Sequence, residues 1–192
     1  AHIYGKKIVG AESFTTIGPH WNDELWHDQK SAFDHEICAG LNRVYFHTFT
    51  CSPAEQGIPG QEYFAGTHVN PRVTWWSKSA PFIDYMHRVQ MLAQEGTFVA
   101  DVLYYYGDHV PNVYPFKHSD MPGAMFGFDY DVTDENILMK LGVEDGDIVV
   151  PGGKRYKVLV LPDHRVLSLP VLKKLEMLVK EGASVLGPKP QK

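Results

Sequence analysis

A single glutamate, Glu12, stands where a short apolar run meets polar and aromatic residues. The run covers residues 8–11, and Ser13, Phe14 and Thr15 follow the glutamate. If this run is a buried strand in a barrel of parallel strands, Glu12 lies at its C-terminal end, where such barrels build their active sites. A carboxyl group there is a candidate catalytic acid or base, whereas an isolated glutamate is usually a solvated surface residue.

The same pattern recurs along the chain, which favours the catalytic interpretation of Glu12. Three further runs bring polar residues beside aromatic ones, and they cover residues 42–49, 99–108 and 127–132. Helical patterns at 24–39 and 81–94 precede the second and third runs. Alternation of strands and helices predicts an α/β fold, and residues 1–141 are expected to form half of a (β/α)8 barrel of the TIM type.

Polar residues at the other three runs are expected to lie at the same C-terminal end of the barrel, its rim, as Glu12. His47 is predicted to bond a hydroxyl group of the substrate rather than to shuttle a proton, although a buried structural histidine is the alternative. Asp108 is predicted to bind substrate, and a simple turn is the alternative there. Asp129 and Asp131 lie two apart in a strand and share a face. Parallel strands would bring all these residues to one rim with Glu12.

The segment 51–79 is long and too rich in aromatic residues to be a linker. It carries His68 and Asn70 together with the pair Trp75 and Trp76. Sugars stack their C–H faces on aromatic rings and need paired donors and acceptors for their hydroxyls. These four residues are therefore predicted to bind substrate, with one tryptophan packed in the core and the other facing the cleft.

The chain changes character after residue 141. The elements predicted there are a hairpin at 143–154, a buried parallel strand at 156–162, a helix at 169–180 and a strand at 183–187. Ser168 is expected to cap the helix, and its inward face is expected to include Met177 and Val179. Residues 142–192 thus predict the start of a second, doubly wound α/β domain that the chain leaves incomplete.

Composition narrows the classes of partner. The net charge of -5 and the lack of a basic cluster argue against nucleic acid or an anionic membrane surface as a partner. No apolar run approaches the ~18 residues that a membrane-spanning helix needs.

Cys38 and Cys51 are expected to be free, buried thiols rather than a disulfide. No zinc-type spacing of Cys and His is present, and no organic cofactor is predicted.

Several of these segments together resemble glycoside hydrolase family 106, the bacterial α-L-rhamnosidases. They are Glu12 to Thr15, Gly40 to Arg43 leading to His47, His68 to Asn70 followed by Thr74 to Trp76, Asp101 to Gly107, and Tyr156 to Pro162. The resemblance covers essentially the whole chain. It implies the C-terminal part of a hydrolase barrel followed by a flavodoxin-like or amidotransferase-like α/β domain, as a fragment of a longer periplasmic or secreted protein.

The resemblance also implies inverting hydrolysis of terminal α-L-rhamnosides, with Glu12 as one catalytic carboxylate and Ca²⁺ associated with the active site. Inverting glycosidases place an acid and a base about 6.5–9.5 Å apart. Apolar neighbours such as Phe14 and Phe46 would favour the acid role for Glu12, and hydrogen-bond donors the base role. The sequence leaves both roles open.

Three alternatives remain at this point. A retaining hydrolase of the β-galactosidase or β-glucuronidase type would use carboxylates about 5–5.5 Å apart. A non-catalytic carbohydrate-binding fragment would keep the aromatic residues, although the alternation of strands and helices argues against it. An amidotransferase would need a thiol nucleophile, and no cysteine follows Cys51.

Overall fold

The computed structural model describes residues 1–17, 24–111 and 127–190, in a mixed α/β fold. The chain divides into two compact units, one of residues 8–96 and the other of residues 1–7 and 97–192. Across the described ranges, no helix is both long enough and apolar enough to cross a membrane.

The unit of residues 8–96 is built on a parallel pair of short strands. Its main elements are strand β1 (Gly10–Ser13), helix α1 (Lys30–Cys38), strand β2 (Arg43–Phe46) and helix α2 (Ala80–Gln94). A turn of π-helix at Leu25–Gln29 leads into α1, and Pro81 lies in the first turn of α2, where its missing N–H costs no helical bond. The predicted order of strand, helix and parallel strand is present in this unit.

Both helices cover one face of this pair of strands. Their buried core consists of Leu25, Phe33, Phe82 and Met86. Val44 of β2 packs against that core, so the apolar sides of the helices are buried against the sheet.

The first strand differs from its prediction in position and burial. It begins at Gly10 rather than at Ile8, it contains Glu12, and three of its four residues are exposed. The N–H groups of Asn42 and Arg43 both donate to the carbonyl of Val9, which sets where the pairing starts. Because the helices cover only one face of a two-stranded sheet, the other face stays open to solvent.

The second unit is organised around a buried parallel sheet. Its elements are β3 (Val102–Tyr105), β4 (Tyr130–Thr133), α3 (Glu135–Leu138), β5 (Gly142–Glu144), β6 (Asp147–Val149), β7 (Arg155–Tyr156), β8 (Val158–Val160), α4 (Leu169–Lys180) and β9 (Val185–Leu186). The parallel strands lie in the order β4-β3-β8-β9, and β5, β6 and β7 form a separate antiparallel sheet.

Helix α4 covers the residues predicted for it, and one narrow row of its side chains is buried in the core. Val171, Leu175 and Leu178 are buried at helical spacing, as expected for a helix covering a sheet. The predicted inward positions of Met177 and Val179 are wrong, because both are exposed. These two residues are adjacent to the buried stripe in sequence but turned about 100° away from it around the helix.

The predicted domain boundary at residue 142 falls between strands that share a sheet. Central strand β3 pairs with β4 on one side and with β8 on the other. The division into 1–141 and 142–192 therefore stays a prediction for the intact protein. The barrel also stays a prediction, since the described sheets have two, four and three strands.

Both cysteines are free, as predicted, but neither is buried. Cys38 is the last residue of α1, where the helix leaves the core, and Cys51 lies in the long loop after β2. The prediction of burial was wrong for Cys38 because it assumed that the whole apolar stripe of the first helix faces inward. It was wrong for Cys51 because the chain leaves the sheet before that residue.

Candidate functional site

Glu12 lies on the face of the β1–β2 pair that the helices leave open. Side chains alternate along a strand. Ala11 pairs with Val44, which packs on the helical core, so that pair faces the helices. Glu12 pairs with Tyr45 and therefore points the other way, and its side chain is 60% exposed.

One carboxylate oxygen of Glu12 is held by neighbouring side chains. The Thr15 hydroxyl donates a hydrogen bond of 2.6 Å to Glu12 Oε1. His47 Nε2 lies 3.9 Å from the same oxygen. Within the described residues, the contacts found for this carboxylate involve Oε1, so Oε2 is available to a ligand or a water molecule. A carboxylate positioned on one oxygen and open on the other can act in proton transfer.

His47 follows β2 directly and extends its pairing with β1. Its backbone N–H donates to the carbonyl of Ser13 at 2.9 Å. The Nδ1 atom of the ring is buried and has no hydrogen-bond partner in the part of the chain that the structure describes. The strand pairing thus brings His47 beside Glu12, and its predicted bond to a sugar hydroxyl stays a prediction.

His68 and Asn70, two predicted sugar contacts, lie inside the long loop. His68 is fully buried, and its Nε2 accepts a hydrogen bond of 3.1 Å from the N–H of Tyr63. Asn70 is 3% exposed, and its Oδ1 accepts a bond of 2.9 Å from the N–H of Arg72. Both side chains therefore order the loop backbone, and sugar binding by either stays a prediction.

The two tryptophans are in different environments. Trp75 packs against the buried helical core of its unit, as expected for one member of the pair. Trp76 is partly buried and begins a short 3-10 helix, Trp76–Lys78. Its predicted contact with substrate stays a prediction.

Asp108 lies in the other unit and bonds the start of helix α4. Its Oδ2 accepts a hydrogen bond of 2.6 Å from the backbone N–H of Ser168, the residue before the helix. The predicted cap by the Ser168 side chain is absent, since that side chain makes no capping bond. A carboxylate near a helix N-terminus is favourable because unpaired N–H groups and the helix dipole are positive there. Substrate binding by Asp108 stays a prediction.

Asp131 is held inside the same unit by two side chains. His2 Nδ1 lies 2.8 Å from Oδ1, and the Tyr156 hydroxyl donates to Oδ2 at 2.7 Å. Burial acts to raise the pKa of Asp131, but the bonds from His2 and Tyr156 outweigh it and hold that pKa below its ordinary value. Burial and the bond to Asp131 raise the pKa of Tyr156. Asp129, by contrast, accepts the N–H of Tyr130.

Within the described residues, these carboxylates do not lie together with other potential metal ligands. Among residues 1–17, 24–111 and 127–190, no three His, Cys, Asp or Glu side chains are grouped so that they could hold a metal ion. The Ca²⁺ that the family resemblance implies therefore stays a prediction.

Two residues near Glu12 were missed from the sequence. Thr15 belongs to the segment around Glu12, and its spacing of three residues from the glutamate is the only signal for its hydrogen bond. Tyr63 was missed because His68 and Asn70 were favoured within the same loop. The adjacent aromatic residues Tyr63 and Phe64, between polar residues and glycine, were the available signal.

Comparison with known proteins identifies the family of this chain. The model of glycoside hydrolase family 106, described as alpha-L-rhamnosidase, matches residues 1–192. A protein of Formosa agariphila named "Putative beta-glucuronidase" is 41% identical over 192 residues, which are 100% of this chain and 16% of that protein. The structure of a rhamnosidase from Novosphingobium sp. PP1Y matches with a TM-score of 0.85 and 32% identity, covering 99% of this chain and 18% of that one. The chain thus spans less than a fifth of each relative.

Proposed function

Because the chain belongs to glycoside hydrolase family 106, we propose that the intact protein hydrolyses terminal α-L-rhamnosides with Glu12 as a catalytic carboxylate. The observation that carries this proposal is the exposed carboxylate of Glu12. Its Oε1 accepts a hydrogen bond from Thr15 and lies 3.9 Å from His47 Nε2. Such a group is positioned without being neutralised by a buried partner. The similarity to a solved rhamnosidase supports the choice of sugar.

We propose that Glu12 acts as the general base. A general base must be held in position with one oxygen open to the attacking water, and the bond from Thr15 holds Glu12 through Oε1 in this way. With Oε1 held, Oε2 can accept a proton from the attacking water while the bond between the sugar and its leaving group breaks. Inversion follows when that water attacks from the face opposite the leaving group.

The second carboxylate is not assigned among the described residues. Asp108 bonds the start of α4, and both oxygens of Asp131 are occupied. We therefore propose neither Asp108 nor Asp131 as the catalytic acid. No step of the proposed mechanism requires Ca²⁺.

The parallel β1–β2 pair fits two neighbouring strands of a (β/α)8 barrel. Helices lie on one face, and the open face carries Glu12 and Tyr45, as the inner face of such a barrel would. We propose that the intact protein completes this barrel and continues into an amidotransferase-like α/β domain. A periplasmic or secreted location is part of this proposal, and cell fractionation would test it.

The experiment that tests the base role is Glu12→Gln in the intact protein. Loss of a general base is expected to lower turnover by about 100-fold or more. The loss should be similar for aryl rhamnosides with very good leaving groups and for simple alkyl rhamnosides, because the base acts on water. Loss of an acid would instead spare the substrates whose leaving groups need no protonation.

Glu95→Gln is the matched control, since Glu95 is an exposed glutamate at the end of α2 in the same unit. It should leave turnover unchanged. Near wild-type turnover in Glu12→Gln, with circular dichroism unchanged, would contradict a catalytic role and leave a binding role for Glu12.

A retaining β-glucuronidase is the second candidate, because the Formosa agariphila relative carries that name. The two candidates differ in substrate and in stereochemistry. Incubation with aryl α-L-rhamnoside and aryl β-D-glucuronide, followed by proton NMR of the first sugar formed, separates them. We expect turnover of the rhamnoside with inversion; turnover of the glucuronide with retention would support the second candidate.

A further inference from the structure

We infer that Tyr63 and Phe64 form an aromatic platform on which the sugar ring of the substrate stacks. The inference rests on the proposed function and names the substrate contact at the same site. It assigns to these two residues the role that the sequence suggested for a tryptophan.

The backbone places this pair beside the ends of β1 and β2. Just after it, the N–H groups of Gly66 and Thr67 donate to the carbonyls of Thr16 and Phe14, which follow β1. The segment also pairs with Thr48, which follows β2: Thr48 N–H donates to Thr67, and Val69 N–H donates to Thr48. The loop therefore bridges both strand ends.

The rings continue this arrangement towards the carboxylate. The centroids of Phe64 and Tyr63 lie 4.6 Å apart with the rings tilted by 46°, so the two rings form adjoining faces rather than one plane. Tyr63 meets the His47 ring edge-to-face at 5.4 Å. His47 Nε2 is in turn 3.9 Å from Glu12 Oε1. A sugar stacked on Tyr63 therefore has its hydroxyls within reach of the imidazole and lies beside the catalytic carboxylate.

Both rings are exposed although their backbone is held in place. Tyr63 is 44% exposed and Phe64 71% exposed. The N–H of Tyr63 is bonded by the fully buried His68, and Arg72 donates to the carbonyls of Ser52, Pro53 and Gly57 within the same loop. A backbone ordered before binding loses little entropy when a ligand stacks on the rings.

The chemistry of the ligand suits an aromatic platform. A deoxysugar such as rhamnose carries a methyl group and C–H faces that lose contact with water when they stack on a ring. Trp75 is less suited, because its ring is packed on the core of Phe82 and Met86. The pair Tyr63 and Phe64 is therefore a better assignment than Trp75.

The test measures sugar binding and turnover separately in the intact protein. L-rhamnose affinity is measured by calorimetry in the Glu12→Gln background, and KM and kcat for an aryl rhamnoside with Glu12 intact. Tyr63→Ala should raise both Kd and KM by about two- to tenfold, the range expected for loss of a stacking contact, with kcat changed less. Tyr63→Phe keeps the ring and should restore wild-type affinity.

Two further variants keep the outcome interpretable. Trp26→Ala removes an aromatic residue of similar exposure, 53%, which packs edge-on against Phe82 on the helical side, and should leave Kd unchanged. If Tyr63→Ala lowers the Tm, Phe64→Ala serves as the test instead, because its more exposed ring contributes less to the fold.

These measurements distinguish an error in the aromatic platform from an error in the proposed function. Wild-type affinity in both Tyr63→Ala and Phe64→Ala, in a protein that hydrolyses rhamnosides, would overturn the platform alone. A wild-type protein that neither binds L-rhamnose nor hydrolyses its glycosides would overturn both.

Discussion

The two units of the chain hold a strand carboxylate in opposite ways. In the unit of residues 8–96, Glu12 is exposed, and its contacts with Thr15 and His47 involve one oxygen. In the unit of residues 1–7 and 97–192, Asp131 is largely buried, and His2 and Tyr156 occupy one oxygen each. The first arrangement leaves a carboxylate able to react, whereas the second uses a carboxylate to join the N-terminal segment to the sheet.

The difference follows from how each sheet is covered. Strand β3 is buried along its whole length, so a polar group on the neighbouring strand must be paired to remain there. Strands β1 and β2 are covered by helices on one face only, so Glu12 can stay exposed to water on the other face without a buried partner. A carboxylate in a strand thus indicates chemistry only where the sheet leaves it accessible.

The largest expected difference between the units is in the variants Glu12→Gln and Asp131→Asn. The first should lower turnover by about 100-fold with an unchanged Tm. The second should reduce stability by about 1–3 kcal/mol, because it weakens two buried hydrogen bonds, and should change kcat less. Parallel measurements of kcat and Tm check this, and a stability loss confined to Glu12→Gln would reverse the comparison.

A smaller effect is expected at Gly66, which packs on His47. A Cβ added there would lie within 2.6 Å of His47 Nδ1 and would also meet the His47 carbonyl oxygen, at a backbone φ of +96°. Gly66→Ala should therefore displace His47 and lower kcat/KM by about tenfold or more.

Gly40→Ala is the control for backbone strain at Gly66. Gly40 has a φ of +108°, and a Cβ added there meets nothing within 4 Å. This variant should lose stability by about 1–2 kcal/mol without loss of activity. Equal activity losses in the two variants would mean that His47 is not the cause.

At low pH, Asp131 is expected to lose its contribution to the stability of the fold. The pKa of Asp131 is lowered in the folded protein, so its stabilising contribution is complete above the ordinary value of 3.8 and is lost as the pH falls below it. The stability difference between wild type and Asp131→Asn should therefore be constant above about pH 5 and shrink as the pH falls below about 3.8. Denaturant unfolding across this range checks it, and a difference that grows in acid would contradict the assignment.

The smallest effect is expected at Asp108. Asp108→Ala removes the carboxylate that bonds the start of α4 and should reduce stability by about 1 kcal/mol with KM unchanged. Asp163→Ala, at another exposed aspartate of the same unit, is the control and should leave the Tm unchanged. A raised KM with an unchanged Tm would instead favour substrate binding by Asp108.

Local elements were readable from the sequence because their signals are local. Pro81 in the first turn of α2, the repeating apolar residues of α4, and the apolar run of β8 each predict an element that the structure contains. The resemblance to family 106 was also carried by ordered motifs in the sequence and is confirmed by the family model. Glu12 was singled out for the same reason, as a carboxylate beside a strand.

Tertiary structure decided which of these polar residues are accessible. Glu12, Asp108 and Asp131 have similar positions beside predicted strands, and only the packing shows that two of them are bonded within the fold. The hydrogen bonds that hold residues 63–69 on the end of β1 join segments about 50 residues apart, and those to Thr48 after β2 join segments about 20 apart, so no local pattern could indicate Tyr63 beside Glu12. Sequence determined which groups the chain carries, and long-range pairing and burial determined which of them a ligand can reach.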